Sequence, residues 1–363
     1  MNVLVLFGGR SAEHKVSLQS AANIIDAIDN NKYNIYPVGI DYNGRWYYFD
    51  KQNIFLDSDD PLNIRLNLSE GTEVALLPIG VNSCLLSLSD NRKIVKPDIL
   101  FPVLHGPYGE DGTIQALAKM ANLPCVGPGI AGSVIGMDKD IMKRLLKEAG
   151  IPVARSITIR KNEINKFKYN VVSEILGRVL FVKPANMGSS VGINKATDEK
   201  SFSNAIEKAF LYDTKVVVEE EIKGREIECA VIGNDDPIAS EPGEIIPLEE
   251  FYSYTAKYIN KYGADLKIPA SLDNDVKKRI QDLAIKTYKI LECCGMSRVD
   301  FFVTNNHDIY VNEINTIPGF TKISMYPKLW EYSGIKYSQL VDKLIELAIE
   351  KFNEQKDLKF FEK

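Results

Sequence analysis

The sequence offers little from which a covalent framework, a membrane anchor or a nucleic-acid grip could be built. Its five cysteines are odd in number and form no Cys-x-x-Cys, so neither a disulfide scaffold nor a zinc knuckle organises the chain. Buried free thiols in a reducing compartment are expected instead. No run of about 18 apolar residues occurs, so no membrane-spanning helix is predicted. The opening Met1-Asn2-Val3-Leu4-Val5-Leu6-Phe7 has no cationic leader and runs straight into Gly8-Gly9. It reads as a first buried strand rather than a signal peptide, and a cytoplasmic location follows. Positive charge is not in excess: the formal net charge is −5 and no basic cluster offsets it, which argues against a polyanion partner. Internal repeats and low-complexity tracts are absent too.

What is there is a folding composition. The 363 residues are 45% hydrophobic and 26% charged, which suits a globular protein of two or three domains. Residues 1–126 alternate strand and helix: strands over 3–7, 35–40 and 97–103, helices over 16–28 and 113–121. That alternation predicts an α/β unit with an open parallel sheet whose ligands meet the strand C-termini. Residues 50–91 are poorly periodic and are placed as an insertion. A second unit, 127–215, holds an amphipathic helix over 138–150, with Ile141, Met142, Leu145, Leu146 and Ala149 on one face. It also holds a strand over 180–184, a Gly/Ser loop over 186–192 and a helix over 201–211. A third unit, 216–363, has strands over 216–220 and 228–232, a helix over 275–291, a strand pair over 298–304 and 308–315, and a closing helix over 338–353. Its polar and aromatic loop 245–269 is long enough to suggest a lid.

Three stretches carry candidate chemistry. Arg298-Val299-Asp300 and Val311-Asn312-Glu313-Ile314-Asn315 lie on neighbouring strands. Strand alternation would point Val311, Glu313 and Asn315 to one face, with Glu313 and Asn315 about 6–7 Å apart at Cα and Asp300 opposite. Two carboxylates and an amide oxygen are hard ligands suited to Mg²⁺. A pair of such ions about 4 Å apart, sharing a bridging Glu, clamps a triphosphate. A solvated strand face is the plain alternative, and the Gly319 amide in the next loop counts against it. The second stretch is Lys183 followed by Met187-Gly188-Ser189-Ser190-Val191-Gly192. The lysine precedes the glycines, so this is not a Walker A loop, but successive N–H groups there still converge on phosphate. The third, Gly127-Pro128-Gly129-Ile130-Ala131-Gly132, satisfies Gly-x-Gly-x-x-Gly. It lacks the acidic residue about 20 positions on that ends a second strand in dinucleotide sites, and so reads as an ordinary helix entry. His14 and His105 follow buried strands in Gly-rich loops; His307 sits in a polar turn.

Taken in order, six segments resemble the D-alanine–D-alanine ligase family across nearly the whole chain. They are Phe7–His14, His105–Gly112, Gly136–Lys139, Val182–Gly192, Lys257-Tyr258 and Arg298–Gly319. The resemblance implies an ATP-grasp fold behind the N-terminal open-sheet unit. It places Lys139, Lys183 and Ser190 on the ATP phosphates. Glu219 and Glu220 would offer backbone oxygens, and Ile222 an amide, to adenine, with Glu226 on the ribose and Phe302 against the base. Asp300, Glu313 and Asn315 would carry two Mg²⁺ ions, with Mn²⁺ as an alternative. Glu13 would take the ammonium of the first D-alanine; His105 and Lys257 would border the substrates. Arg298 and the Gly319 amide would hold the oxyanion, while Ser324 and the Met325 amide hold the second carboxylate. Ser189, Tyr258 and Glu13 would link across the closing loop. A homodimer is implied by the same likeness. The Lys257-Tyr258 pair favours an amine over a hydroxyl as nucleophile and leaves D-serine open beside D-alanine. Ser253 and Lys15 depart from the acidic residues the family usually shows. Other carboxylate–amine ligases of the ATP-grasp class, a non-catalytic nucleotide-binding module and a dinucleotide oxidoreductase are the competing readings.

Overall fold

The computed structural model describes residues 1–50, 52–247, 264–356 and 358–359. The first unit is built on β1 (Asn2–Gly8), whose Val3–Phe7 core is wholly buried because both faces are covered. Helix α1 (His14–Ala27) follows, then β2 (Asn34–Ile40), β3 (Trp46–Tyr48), β4 (Phe55–Leu56), β5 (Arg65–Leu66), β6 (Thr72–Leu77), β7 (Cys84–Ser87), β8 (Lys93–Val95), β9 (Ile99–Val103) and α2 (Thr113–Met120). The seven-stranded sheet runs β8-β7-β6-β3-β2-β1-β9. β1 is parallel to both β2 and β9, as expected, and β3, β6, β7 and β8 add to it antiparallel. Within the stretch read as an insertion, β6 and β7 therefore extend the sheet, while β4 and β5 form a separate two-stranded sheet. Its strands are short, and β6 alternates buried and half-exposed positions with one exposed, so they lack the continuous apolar run of β1.

Helices α3 (Ile130–Met137) and α4 (Lys139–Glu148) lead into the second sheet, β10 (Ser156–Arg160), β11 (Leu180–Pro184), β12 (Asn194–Ala196) and β13 (Lys215–Glu220). Its order is β10-β13-β11-β12, all antiparallel, under α5 (Tyr169–Leu176) and α6 (Glu199–Ala209). β13, assigned from sequence to the third unit, is hydrogen-bonded into this sheet, so the sheet boundary falls after Glu220. The third sheet comprises β14 (Arg225–Gly233), β15 (Ile238–Ala239), β16 (Gly243–Pro247), β17 (Ala264–Lys267), β18 (Gly295–Val303) and β19 (Ile309–Asn315), ordered β17-β16-β14-β18-β19 with β15 on β14. Around it lie α7 (Asn274–Ile290), α8 (Met325–Tyr332), which the sequence reading did not anticipate, and α9 (Tyr337–Lys356). One apolar core joins Leu18 and Ile24 of α1 to Trp330 of α8 and Leu344 and Ile345 of α9, fastening the first unit to the third. Among the described residues, no helix is long and apolar enough to cross a membrane.

Two local expectations are corrected. In α4 the buried positions are Lys139, Met142, Lys143 and Leu146, whereas Leu145 is exposed. The helix is turned so that two lysines one turn apart face inward, because the buried carboxylate of Glu219 and the half-buried one of Glu313 await them. In β19 the pairing slips between Asp300 and Phe301: Asp300 opposes Glu313, but Phe301 opposes Val311. Asn312 is the extra residue of a bulge, which re-aims the strand. Val311 and Ile314 enter the core while Asn312, Glu313 and Asn315 stay half-exposed, so Val311 does not share the face of Glu313.

The Gly-x-Gly-x-x-Gly segment is explained by packing. A Cβ on Gly132 would stand 2.6 Å from the Glu292 carbonyl oxygen just beyond α7, so only glycine lets α3 approach that backbone. Gly132→Ala is expected to cost about 1–3 kcal/mol, measured as a lowered unfolding midpoint, and NAD is expected to leave the wild-type midpoint unmoved. A tolerated alanine would remove the packing account.

Candidate active site

The three units meet at one cleft. α4 starts where it does because Asp138 caps it, Oδ1 accepting from the Asp140 and Ile141 amides at 3.1 Å each. The Asp138 carboxylate is in turn held by Lys215 Nζ at 2.5 and 2.7 Å, so the helix start is tied to β13. Lys139 then reaches across, donating to the Met187 carbonyl at 2.7 Å and lying 3.5 Å from Glu313 Oε2. β11 supplies Lys183, which donates to Glu219 Oε2 at 2.8 Å and Asn312 Oδ1 at 3.4 Å. Lys143 meets the other oxygen of Glu219 at 3.1 Å. One carboxylate thus serves two buried lysines. Burial works against all three charges. For Lys183 the Glu219 carboxylate outweighs it and holds the ammonium above its usual range, whereas Lys143 is left below its own. The two ammonium groups together keep Glu219 low despite its burial.

On the third sheet, β18 and β19 place Asp300 directly opposite Glu313 and Arg298 opposite Asn315, while Glu228 of β14 lies opposite Asp300. Arg298 grips Asp300 in bidentate fashion, Nε to Oδ1 at 2.7 Å and Nη2 to Oδ2 at 2.8 Å, and Nε also lies 2.8 Å from Glu228 Oε2. Asn315 Nδ2 donates to Asp300 Oδ2 at 2.9 Å. The expected trio of Asp300, Glu313 and Asn315 therefore stands on one face beside the lysines. It is a hard-oxygen donor set, which fits Mg²⁺ rather than a soft metal. On the far side of Glu313, Glu226 and Phe302 are cross-strand partners and line a pocket with Ile245 and Asn312. Glu219 and Glu220 end β13 and Ile222 lies in the link to β14; the Glu220 carboxylate is paired with Arg155 at 2.6 Å.

The first unit closes the other end. Glu13, just before α1, accepts a hydrogen bond from Ser189 Oγ. Its Oε2 stands where a Cβ on Gly106 or Gly188 would come within 3.1 and 3.0 Å, so both loops approach it by backbone alone. Ser189 and Ser190 have φ of 50° and 60°, a left-handed pair that non-glycine residues adopt only when the surroundings impose it. His105 is buried; Nδ1 donates to the Ile317 carbonyl at 3.0 Å and Nε2 accepts from Ser20 Oγ at 3.3 Å. Burial lowers its pKa, which keeps the ring neutral. Glu110 is buried as well, and desolvation, helped by the Glu13 charge, raises it to about 7. Gly319 lies close against Ser324, whose Oγ accepts from the Thr321 amide at 3.0 Å, and Ser324 is the residue before α8, so the Met325 amide opens that helix. A helix start of this kind favours a carboxylate.

Lys257, Tyr258, Ser253 and most of the expected lid lie outside the described residues. Lys143, Glu228, Asn312 and Glu110 are parts of the cleft that the sequence reading did not single out. Lys143 was legible as the residue four after Lys139, and Glu228 as the residue two after Glu226 on one strand. The bulge that turns Asn312 inward left no signal.

An N-terminal open α/β unit followed by two antiparallel sheets that face lysines and acidic oxygens across a cleft is an ATP-grasp architecture. The chain belongs to the D-alanine–D-alanine ligase family: residues 2–128 match the D-ala D-ala ligase N-terminus and residues 145–346 the D-ala D-ala ligase C-terminus. It is 51% identical to a D-alanine–D-alanine ligase of Shouchella clausii over 98% of this chain and 96% of that one. Among solved structures, the D-alanine-D-alanine ligase from Coxiella burnetii superposes with a TM-score of 0.84 at 40% identity, covering 98% of this chain and 97% of the other. The VanG D-Ala:D-Ser ligase from Enterococcus faecalis gives 0.84 at 39%, covering 96% and 99%.

Proposed function

We propose that this chain joins two D-alanines into D-alanyl-D-alanine at the expense of ATP, through D-alanyl phosphate, as a step in peptidoglycan precursor synthesis. The observation that carries the reading is the junction itself: Lys139 lies 3.5 Å from Glu313, so the phosphate-side lysines and the acidic face belong to one cleft. Four cations, Lys139, Lys143, Lys183 and Arg298, there face four carboxylates, Glu219, Glu228, Asp300 and Glu313. ATP as a tetraanion together with two divalent cations adds no net charge to these pairs. Asp300, Glu313 and Asn315 would hold the Mg²⁺ ions, which neutralise the β- and γ-phosphate oxygens when bound.

The chain's own groups then account for both steps. Lys139, Lys183 and the Ser190 loop hold the phosphates, while Glu226 and Phe302 hold ribose and base beside the Glu219-to-Ile222 hinge. Glu13 fixes the ammonium of the first D-alanine, leaving its carboxylate to attack the γ-phosphorus as ADP departs. That transfer needs position and charge more than covalent help. The amine of the second D-alanine, its carboxylate held by Ser324 and the Met325 amide, forms the new C–N bond. Arg298 and the Gly319 amide stabilise the oxyanion until phosphate leaves. A cytoplasmic location, where ATP is supplied, and a homodimer go with this reading.

D-Serine as second substrate is not favoured, since the D-alanine–D-alanine ligases are the more similar relatives, at 51% identity against 39% for VanG. Incubation with Mg-ATP and D-alanine, D-serine, D-lactate or L-alanine, with products identified by mass spectrometry, separates the possibilities. D-Alanyl-D-alanine, ADP and phosphate in equal amounts are expected. D-Alanyl-D-serine as the main product would reassign the second substrate, and no D-alanine-dependent product would defeat the ligase reading.

A further inference from the structure

The loop Thr316–Phe320, which carries Gly319, is almost entirely buried yet has no regular structure: Thr316, Ile317 and Phe320 are exposed by no more than 2%. Buried peptide groups require partners, and here side chains of the first unit supply them. The Ile317 amide donates to Glu110 Oε1 at 2.8 Å, and the Ile317 carbonyl accepts from His105 Nδ1 at 3.0 Å. Both polar atoms of one residue are thus taken from the same direction. Glu110 Oε2 accepts from the Gly106 amide at 2.9 Å, and Oε1 also receives Thr316 Oγ1 at 3.4 Å. Three residues on from Ile317, the Phe320 amide donates to Ser20 Oγ at 3.1 Å, and the Phe320 carbonyl accepts from Asn23 Nδ2 at 3.2 Å.

We propose that Glu110 is a positioning residue for the ligation step, fixing the Thr316–Phe320 backbone from the first unit so that the Gly319 N–H points at the reacting carbonyl. The proposal rests on the oxyanion role given to Gly319 above. Glu110 joins the loop beside Glu13, where the first amino acid is held, to the loop that stabilises the developing charge. It thereby sets the distance between two halves of the reaction that come from different ends of the chain. The ionised form of Glu110 accepts on both oxygens: an amide in its place presents N–H to either the Gly106 or the Ile317 amide, and two donors repel. His105 acts with it, taking the carbonyl side of the same residue.

The test is Glu110→Gln, which keeps volume and shape. Three quantities decide it: kcat for dipeptide formation, affinity for ADP, and affinity for a phosphinate dipeptide that mimics the tetrahedral intermediate. The expected result is a fall in kcat of at least about tenfold with a matching loss of phosphinate affinity, since a transition-state contact is lost in both. ADP affinity stays within about twofold. Ser20→Ala, which removes the acceptor at the Phe320 amide, is expected to act in the same direction and more weakly. Unchanged kcat, or a fall in kcat without loss of phosphinate affinity, overturns the proposal, as does an equal fall in ADP affinity, the mark of general disruption. A wild-type protein that forms no dipeptide would instead defeat the ligase reading, so the two failures are distinguishable.

Discussion

Glu313→Gln is expected to lower dipeptide formation by about a thousandfold or more while leaving a folded protein. The carboxylate stands at the centre of the site, opposite Asp300 and 3.5 Å from Lys139, with the Glu226–Phe302 pocket on one side and the Lys139–Gly188 cleft on the other. Replacing it by an amide keeps the shape but removes a charge that would hold the proposed Mg²⁺ ions, which would help to offset phosphate repulsion during transfer. Glu313 is only half-buried, so the unfolding midpoint is expected to move little. Phosphate release at saturating ATP and D-alanine is the measurement. Turnover within tenfold of wild type would remove Glu313 from the metal site and, with it, the central member of the proposed ligand set.

Arg298→Lys is the second large effect, and it has two parts. The guanidinium forks onto Asp300 and touches Glu228, which a single ammonium cannot reproduce. Losing oxyanion stabilisation is worth about 10²–10³ in kcat. Leaving Glu228, which is 6% exposed, short of its partner also costs stability, up to about 3–5 kcal/mol when a buried pair is broken outright. Both a reduced kcat and a lower unfolding midpoint are therefore expected. A lysine variant with wild-type kcat would assign Arg298 to structure alone. The comparison with Glu313→Gln is informative: that variant loses chemistry without stability, whereas this one loses both, because Arg298 is itself the counter-charge of two carboxylates.

The strands and helices that frame the cleft were legible because their apolar patterns are local. β1, β2, β9 and β19 fall within a residue or two of the stretches expected for them, as does α7, and β18 begins three residues earlier than expected. The corrections occur where a distant group overrides the local pattern. α4 reads as a helix with Leu145 inward, but Glu219 and Glu313 draw Lys143 and Lys139 inside, since a buried carboxylate without a cation is far more costly than an exposed leucine. α8 was missed because its apolar residues are interrupted by Pro327 and Lys328, and its core partners lie at both ends of the chain. Residues 50–91 failed to read as sheet because β6 and β7 are short and β6 buries only alternate positions.

The sequence by itself determined that this is a charged-substrate α/β protein without disulfides. It also supplied the ordered set of lysine, glycine and acidic segments that the family shares. Only the tertiary structure decided how those segments meet. Asn312 faces the site because one residue too many sits opposite Phe301, the phosphate-side lysines divide themselves over Glu219 and Glu313, and Glu110 and His105 hold a loop more than 200 positions away. Periodicity records what each residue's neighbours along the chain require. It carries no term for the charge or the unpaired amide that folding will bring from elsewhere, and in this site those terms set the geometry.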